Sequence, residues 1–205
     1  MEREWILEGI CLLAGYLFGN FLAAEVVARC LAGAGIKQLG LECLTVANIQ
    51  KTLGKPAVLA ILAGDILKTV FACWFCHQLA APELAHAAIL YAGLGTMLGH
   101  LWPLWIRGVR AGVTAILCTW ILFYLPVTGL LCVLAGMVVL LGTDSPAWAT
   151  VGIAVLAVPV GWLQFGTQSG VILFVSVLLC LWQNRTELRR VPREEELRSS
   201  RRQHS

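Results

Sequence analysis

KQLGLECLTVANIQKTLGKPAVLAILAGDILK, residues Lys37 to Lys68, is the stretch on which the reading of this chain turns. It begins as a polar loop carrying Lys37, Glu42, Asn48, Gln50, Lys51 and Lys55. At Pro56 it enters an apolar run that nevertheless holds Asp65 and Lys68. An ionised group inside a lipid-spanning helix costs roughly 2.5–3.5 kcal/mol on insertion scales, so such groups usually mark a site. Asp65 and Lys68 are three residues apart and share one helix face. Two readings follow. Either the pair is mutually neutralising and only fixes helix packing, or it backs up a polar site opening at the mouth of this helix.

Composition sets the class. The chain has 205 residues, of which 59% are hydrophobic and 13% charged. Its mean hydropathy is +0.79. A soluble domain cannot hide so much apolar surface, so the expected fold is an all-α, polytopic integral membrane protein. Glu2, Arg3, Glu4 and Glu8 do not make a basic signal-peptide start, and no small-residue cleavage pattern follows. The first helix is therefore expected to be retained.

Net charge is only +3, but seven of the fifteen basic residues are arginines between Arg185 and Arg202. Such a tail suits the cytoplasmic side and anionic lipid headgroups. No basic patch interleaved with aromatics points to nucleic acid. The eight cysteines lie mostly in apolar runs, where they act as small hydrophobes. Cys73-Trp-Phe-Cys76 has CxxC spacing and is followed by His77, yet a spanning helix offers no further ligands. Neither a metal nor a cofactor is expected.

Apolar runs predict about seven spans: Trp5–Ala32, Pro56–His77, Leu84–Leu101, Val113–Leu125, Val127–Leu141, Ala147–Leu163 and Gly166–Trp182. The first is long enough to tilt or to break in two, and it carries Asn20, Glu25 and Arg29. Glu25 and Arg29, four apart, are placed to pair. Gly15-Tyr-Leu-Phe-Gly19 has the small-xxx-small spacing of close helix packing. The pair around Pro126 reads as two spans or one kinked element. Turns are expected at Ala81-Pro82-Glu83, Gly142–Pro146 and Gln164. This divides the chain into a transmembrane helical domain, 1–183, and an Arg-rich cytoplasmic tail, 184–205.

Placing the tail in the cytoplasm and counting back through seven spans puts Lys37, Lys51, Lys55, Arg107 and Arg110 on the same face and the N-terminus outside. The turns at Pro82-Glu83, Pro126 and Gln164 then fall outside, and none has a Lys or Arg. Cations from three segments converge on one compartment, and such groups bind phosphate oxyanions well. Ordinary positive-inside topology would produce the same pattern.

The order of the residues adds more. Gly40, Asn48, Leu53 and Gly54 match a loop pattern GSGNxGATNxxRxLG, with Lys51 at its Arg and Lys37 just before it. Asp65 and Lys68 match DxxKG, with Thr69 for its Gly. Gly99, His100 and Pro103 match GHxFPxFxxFKGGKGVAT, followed by Arg107, Arg110, Gly112 and Val113 in a shortened glycine-lysine stretch. Arg185, Arg190 and Glu196 match HRxNIxRLxxGxE, where Asn184 stands for its His. In this order the motifs resemble those of bacterial acyl-phosphate:glycerol-3-phosphate acyltransferases of the PlsY type. The chain departs from them at Leu41 (Ser in the pattern), Cys43 (Asn), Glu187 (Asn) and Glu194 (Gly), and in most of the glycine-lysine stretch. It reads as a divergent member.

The resemblance implies transfer of an acyl chain from acyl phosphate to the 1-hydroxyl of glycerol 3-phosphate, giving lysophosphatidic acid and phosphate at a bacterial cytoplasmic membrane. By motif position, Lys37, Lys51, Arg107, Arg110 and Arg185 are phosphate contacts. Asn48 and His100 are the catalytic candidates, through hydrogen bonds or site support, with His100 alternatively a general base or a capping residue beside Pro103. Gly40, Asp65, Lys68, Arg190 and Glu196 are supporting. The alternative is a catalytically impaired relative that binds a phospholipid headgroup or a membrane partner. A small transporter using Glu25 and Asp65 as relays is disfavoured, because no inverted repeat is visible.

The orientation is testable in a cysteine-free background. Glu83→Cys is expected to react with an impermeant thiol reagent in intact cells, and Ser199→Cys only after lysis; labelling of Ser199→Cys from outside would overturn it.

Overall fold

The computed structural model describes residues 2–106 and 108–188. Arg107, Arg190, Glu196 and the tail beyond Leu188 lie outside the described residues. Among those described are nine helices and one short strand pair. The helices are α1 (Glu2–Gly19), α2 (Ala23–Ala32), α3 (Val46–Leu53), α4 (Lys55–Leu84), α5 (His86–Leu101), α6 (Thr114–Tyr124), α7 (Pro126–Thr143), α8 (Pro146–Phe165) and α9 (Thr167–Leu188). The strands are β1 (Cys43–Leu44) and β2 (Arg110–Ala111). Each of the seven expected apolar runs contains helix, the first broken at Asn20–Leu22, and the chain is an all-α polytopic membrane protein.

Among the described residues, five stretches are long and apolar enough to cross a bilayer: Arg3–Ala32, Lys55–Ala80, Pro126–Thr143, Pro146–Phe165 and Thr167–Leu188. α5 has 16 residues and α6 has 11. At a rise of about 1.5 Å per residue, α6 alone covers roughly half of a ~30 Å hydrocarbon core.

Three boundaries differ from the sequence expectation. Ala81-Pro82-Glu83 is not a turn: α4 runs on to Leu84, and the chain reverses at Ala85 alone, with φ 44°. A proline in the last turn of a helix removes only one backbone bond and is tolerated in spanning helices. The reversal between α8 and α9 falls at Gly166, φ 83°, two residues past Gln164. α9 continues through Asn184 and Arg185 to Leu188, so its last turn carries residues expected in the tail.

The chain forms two compact units, Met1–Gly129 and Leu130–Ser205. In the second, α8 packs on α9, where a Cβ at Gly161 would overlap the Leu173 side chain. In the first, α1 lies against α5 and α4, and α6 packs on α4 and α5. Buried positions are rich in small residues, including Ala72, Ala88, Ala92, Cys11, Cys73 and Cys76, while Leu13, Leu59 and Phe71 point outward. This is the pattern of helices packed by close approach within lipid.

The α1–α5 contact is the tightest case. A Cβ at Gly15 or Gly19 would overlap the carbonyl oxygens of Ala92 or Thr96. A Cβ at Gly95 or Gly99 would overlap those of Leu12 or Tyr16. The small-xxx-small spacing read in α1 is thus answered by a second one, Gly95…Gly99, in α5. Overpacking of this kind typically costs ~1–3 kcal/mol. Gly99→Val is therefore expected to lower thermal stability in detergent clearly, whereas Gly9→Val on the open side of α1, with nothing within 4 Å, should not. Equal effects of the two would exclude the interlock.

Candidate active site

The first loop is built from its ends inward. α2 stops at Gly33, whose left-handed φ of 66° lets its N–H reach Arg29 O. Glu25 accepts from Arg29 Nε at 2.7 Å and from the backbone N–H of Ile36 at 2.9 Å. The expected Glu25–Arg29 pair thus exists and also fixes the start of the loop. Ile36 is fully buried, and Lys37 beside it is exposed. Gly40 sits in the positive-φ region, 70°.

β1 then runs parallel to β2, Cys43 opposite Arg110 and Leu44 opposite Ala111. The Arg110 N–H donates to Glu42 O at 2.8 Å. Thr45 caps α3 by accepting from Asn48 N, and Asn48 Nδ2 donates back to Cys43 O at 3.0 Å. Asn48 therefore ties the helix bearing Lys51 to the strand that pairs with Arg110. Gly54, φ 85°, joins α3 directly to α4.

An apolar cluster supports these polar loops. It includes Leu22 and Ala28 of the α2 region, Ile36, Leu41 and Leu44 of the first loop, Ile49, Ile61, and Val109 and Ala111 of the second loop. Leu41 is 4% exposed within it. The position read as replacing a motif serine is thus a core residue here, turned away from the exposed face.

Beneath the loops lies the intramembrane charge pair. Lys68 Nζ is 2.8 Å from Asp65 Oδ1, a charge contact whose angles fall outside hydrogen-bond geometry. The same ammonium donates to Phe21 O at 3.0 Å and meets His100 Nδ1 at 2.8 Å. Asp65, Lys68 and His100 are all buried. His100 Nε2 lies 3.2 Å from Gly112 O. Phe21 belongs to the unwound turn between α1 and α2, so Lys68 satisfies a carbonyl freed by that break. Two further bonds hold the second loop: Leu104 N donates to Asn20 Oδ1 at 2.6 Å, and Tyr16 OH donates to Trp102 O at 3.0 Å.

The structure thus brings together two groups of expected residues. Lys37 and Gly40 on the first loop, Asn48 and Lys51 on α3 and Arg110 on β2 are joined by the strand pair or by the cluster beneath it. Asp65, Lys68 and His100 form one buried network. Lys37, Lys51 and Arg110 are exposed. Arg185 belongs to the second unit, on α9, its guanidinium 5.3 Å from the Trp182 ring centre. Sequence reasoning missed the parts of Asn20 and Tyr16. Asn20 was visible as a polar point in an apolar run; the role of Tyr16 left no sequence signal.

An open groove of about 600 Å³ flanks the network, lined by Leu17, Phe18, Phe21, Gly64, Leu67, Lys68 and Phe71. Cys73 and Cys76 are buried against α1, with Cys76 Sγ donating to Cys11 O at 3.6 Å, and His77 contacts Ala85 O. Among the described residues no group of three or more His, Cys, Asp or Glu side chains is placed to hold a metal.

Exposed cations on segments joined by a strand pair, a buried polar network and an apolar groove thus lie together in the first unit of an all-α membrane protein. A family model described as Glycerol-3-phosphate acyltransferase matches residues 9–194, and the chain belongs to that family. A Glycerol-3-phosphate acyltransferase 1 of Lactobacillus johnsonii is 26% identical over 188 residues, covering 88% of this chain and 87% of the relative. A Glycerol-3-phosphate acyltransferase of Gloeobacter violaceus is 36% identical over 94 residues; there the match spans 45% of this chain and 46% of the relative. The crystal structure of PlsY in its glycerol 3-phosphate form has the same fold, with a TM-score of 0.74 at 19% identity over 91% of this chain and 92% of that one.

The Asp65–Lys68 pair gives a stability test. Lys68→Met leaves a buried carboxylate unpaired, and breaking one half of a buried pair costs about 3–5 kcal/mol. Asp65→Asn combined with Lys68→Met is expected to destabilise less than Lys68→Met alone in thermal unfolding. A double variant as unstable as the sum of the singles would exclude the pairing.

Proposed function

We propose that the chain takes its acyl group from acyl phosphate and passes it to glycerol 3-phosphate at the cytoplasmic face of a bacterial cell membrane, with the N-terminus outside and the C-terminus in the cytoplasm. Family membership supports a glycerol-3-phosphate acyltransferase of phospholipid synthesis. Acyl phosphate is the donor that the motif resemblance implies. It is already activated, so the 1-hydroxyl attacks the acyl carbon directly, the acyl–phosphate bond breaks, and phosphate leaves as hydrogen phosphate carrying the hydroxyl proton. Positioning and charge stabilisation suffice for such a step.

The observation that carries this reading is the β1–β2 pairing, in which the Arg110 N–H donates to Glu42 O at 2.8 Å. It sets a cation of the second loop beside the loop that bears Lys37 and Lys51. In our reading Lys37, Lys51 and Arg110 contact phosphate oxygens, Asn48 holds the first loop and His100 supports the second, and Arg107 and Arg185 have the phosphate-contact role only by motif position. Gly40, Asp65, Lys68, Arg190 and Glu196 keep their supporting parts. The groove at Phe18, Phe21, Leu67 and Phe71 offers the acyl chain a path from the lipid.

One observation favours the alternative, an impaired relative that binds a headgroup or a membrane partner: buried Leu41 presents no hydroxyl to a substrate. Phosphate release from acyl phosphate in the presence of glycerol 3-phosphate, by purified protein in detergent, separates the two. Folded protein without turnover would decide for the alternative. In active protein, a lost charged hydrogen bond costs ~1.5–3 kcal/mol, so Lys51→Ala is expected to lower kcat/KM by about tenfold to a hundredfold. Lys55→Ala, beyond the loop, should change it little. Equal losses would mean that bulk surface charge matters and not a site.

A further inference from the structure

Lys68 is surrounded by acceptors on three different segments. Asp65 Oδ1 lies on its own helix, Phe21 O on the break between α1 and α2, and His100 Nδ1 in the last turn of α5, all within 3.0 Å. An ammonium has only donors. His100 Nδ1 must therefore accept, and the ring proton is on Nε2, where it donates to Gly112 O at 3.2 Å. The direction of every bond from Lys68 onward is thereby fixed. It also leaves His100 without a lone pair for a substrate proton.

Gly112 directly follows β2, and β2 is the strand that carries Arg110. We propose that Lys68 and His100 are positioning residues for acyl transfer, a relay that holds the Gly112 carbonyl and so fixes the Arg110 strand beside the first loop. The proposal rests on the acyltransferase reading for its kinetic consequence, but the relay itself is a property of the fold.

Three features make the relay a positioning device as well as packing. β2 is only two residues long, so its pairing with β1 is too short to hold itself in place. Gly112 is exposed, and a Cβ there would meet nothing within 4 Å, so between buried Ala111 and Val113 this residue adds no side-chain packing and is held through its backbone. The Leu104 and Trp102 bonds from α1 restrain the loop six or more residues earlier, and Gly108, with φ 85°, separates them from the strand. The Gly112 carbonyl is thus a polar tether at the C-terminal side of β2, added to the packing of Ala111 and Val113.

The test uses the full chain in detergent with two substitutions at His100. His100→Gln keeps one acceptor and one donor at the end of the side chain, whereas His100→Leu keeps neither. A small misplacement of a catalytic loop can cost about a hundredfold. His100→Leu is expected to lower kcat/KM by about that factor and to raise hydrogen–deuterium exchange at the Arg110 and Ala111 amides. His100→Gln should restore activity to within about fivefold of wild type and restore slow exchange. Asp65→Asn with Lys68→Met, which leaves no lone charge, should raise the same exchange. Two folded variants at His100 that are equally inactive, with exchange as in wild type, would overturn the proposal in favour of proton transfer by the imidazole. Should wild-type protein show no turnover, the acyltransferase reading fails, and exchange alone decides: slow exchange in His100→Leu overturns the relay.

Discussion

One buried ammonium ties the first unit together. Lys68 sits in an apolar helix, yet it meets a carboxylate, a carbonyl released by a broken helix, and an imidazole. Removing a charge from water costs several kcal/mol unless partners replace the hydration. Here the partners come from α4, the α1–α2 break and α5. The break at Asn20–Leu22 depends on this, because a freed carbonyl in hydrocarbon needs a donor. The break in turn lets α2 leave the line of α1 and lie over α4, where Ala28 joins the cluster under the loops.

Much of this was legible in the sequence, for physical reasons that differ by element. Apolar runs long enough to cross a bilayer announce themselves, and each contains helix. Asp65 and Lys68 announced themselves because charge there is expensive. Gly15 and Gly19 were legible as a packing face, but their counterpart in α5 shows only when the two helices meet. Pro82 misled, since a proline removes one backbone bond without having to end a helix, and spanning helices tolerate that loss. The β1–β2 pair was not legible: two-residue strands have no periodicity, and their partners lie far apart in the chain.

The loop motifs give a similar division. Their order placed Lys37, Asn48, Lys51 and Arg110 on segments that the fold joins. What spacing cannot convey is the direction of a side chain. Leu41 was read as a missing hydroxyl, whereas the structure makes it part of the core that supports the loop. His100 was read as catalytic or capping, and its two nitrogens turn out to be engaged by Lys68 and Gly112.

These replacements shift where geometric precision must come from. An Arg at position 51 would offer a planar fork and bidentate contacts, but Lys51 offers a compact charge on a flexible stem. A serine at position 41 would offer a directed donor, and Leu41 offers none. In the proposed site both changes keep the positive charge while removing directed donors. Orientation then has to be imposed by the backbone that carries the cations, through the β1–β2 pairing, the Asn48 tie to Cys43 and the grip of Lys68 through His100 on Gly112. In the proposed relay, the buried charge that is expensive for the fold is therefore also the element that shapes a site of exposed cations.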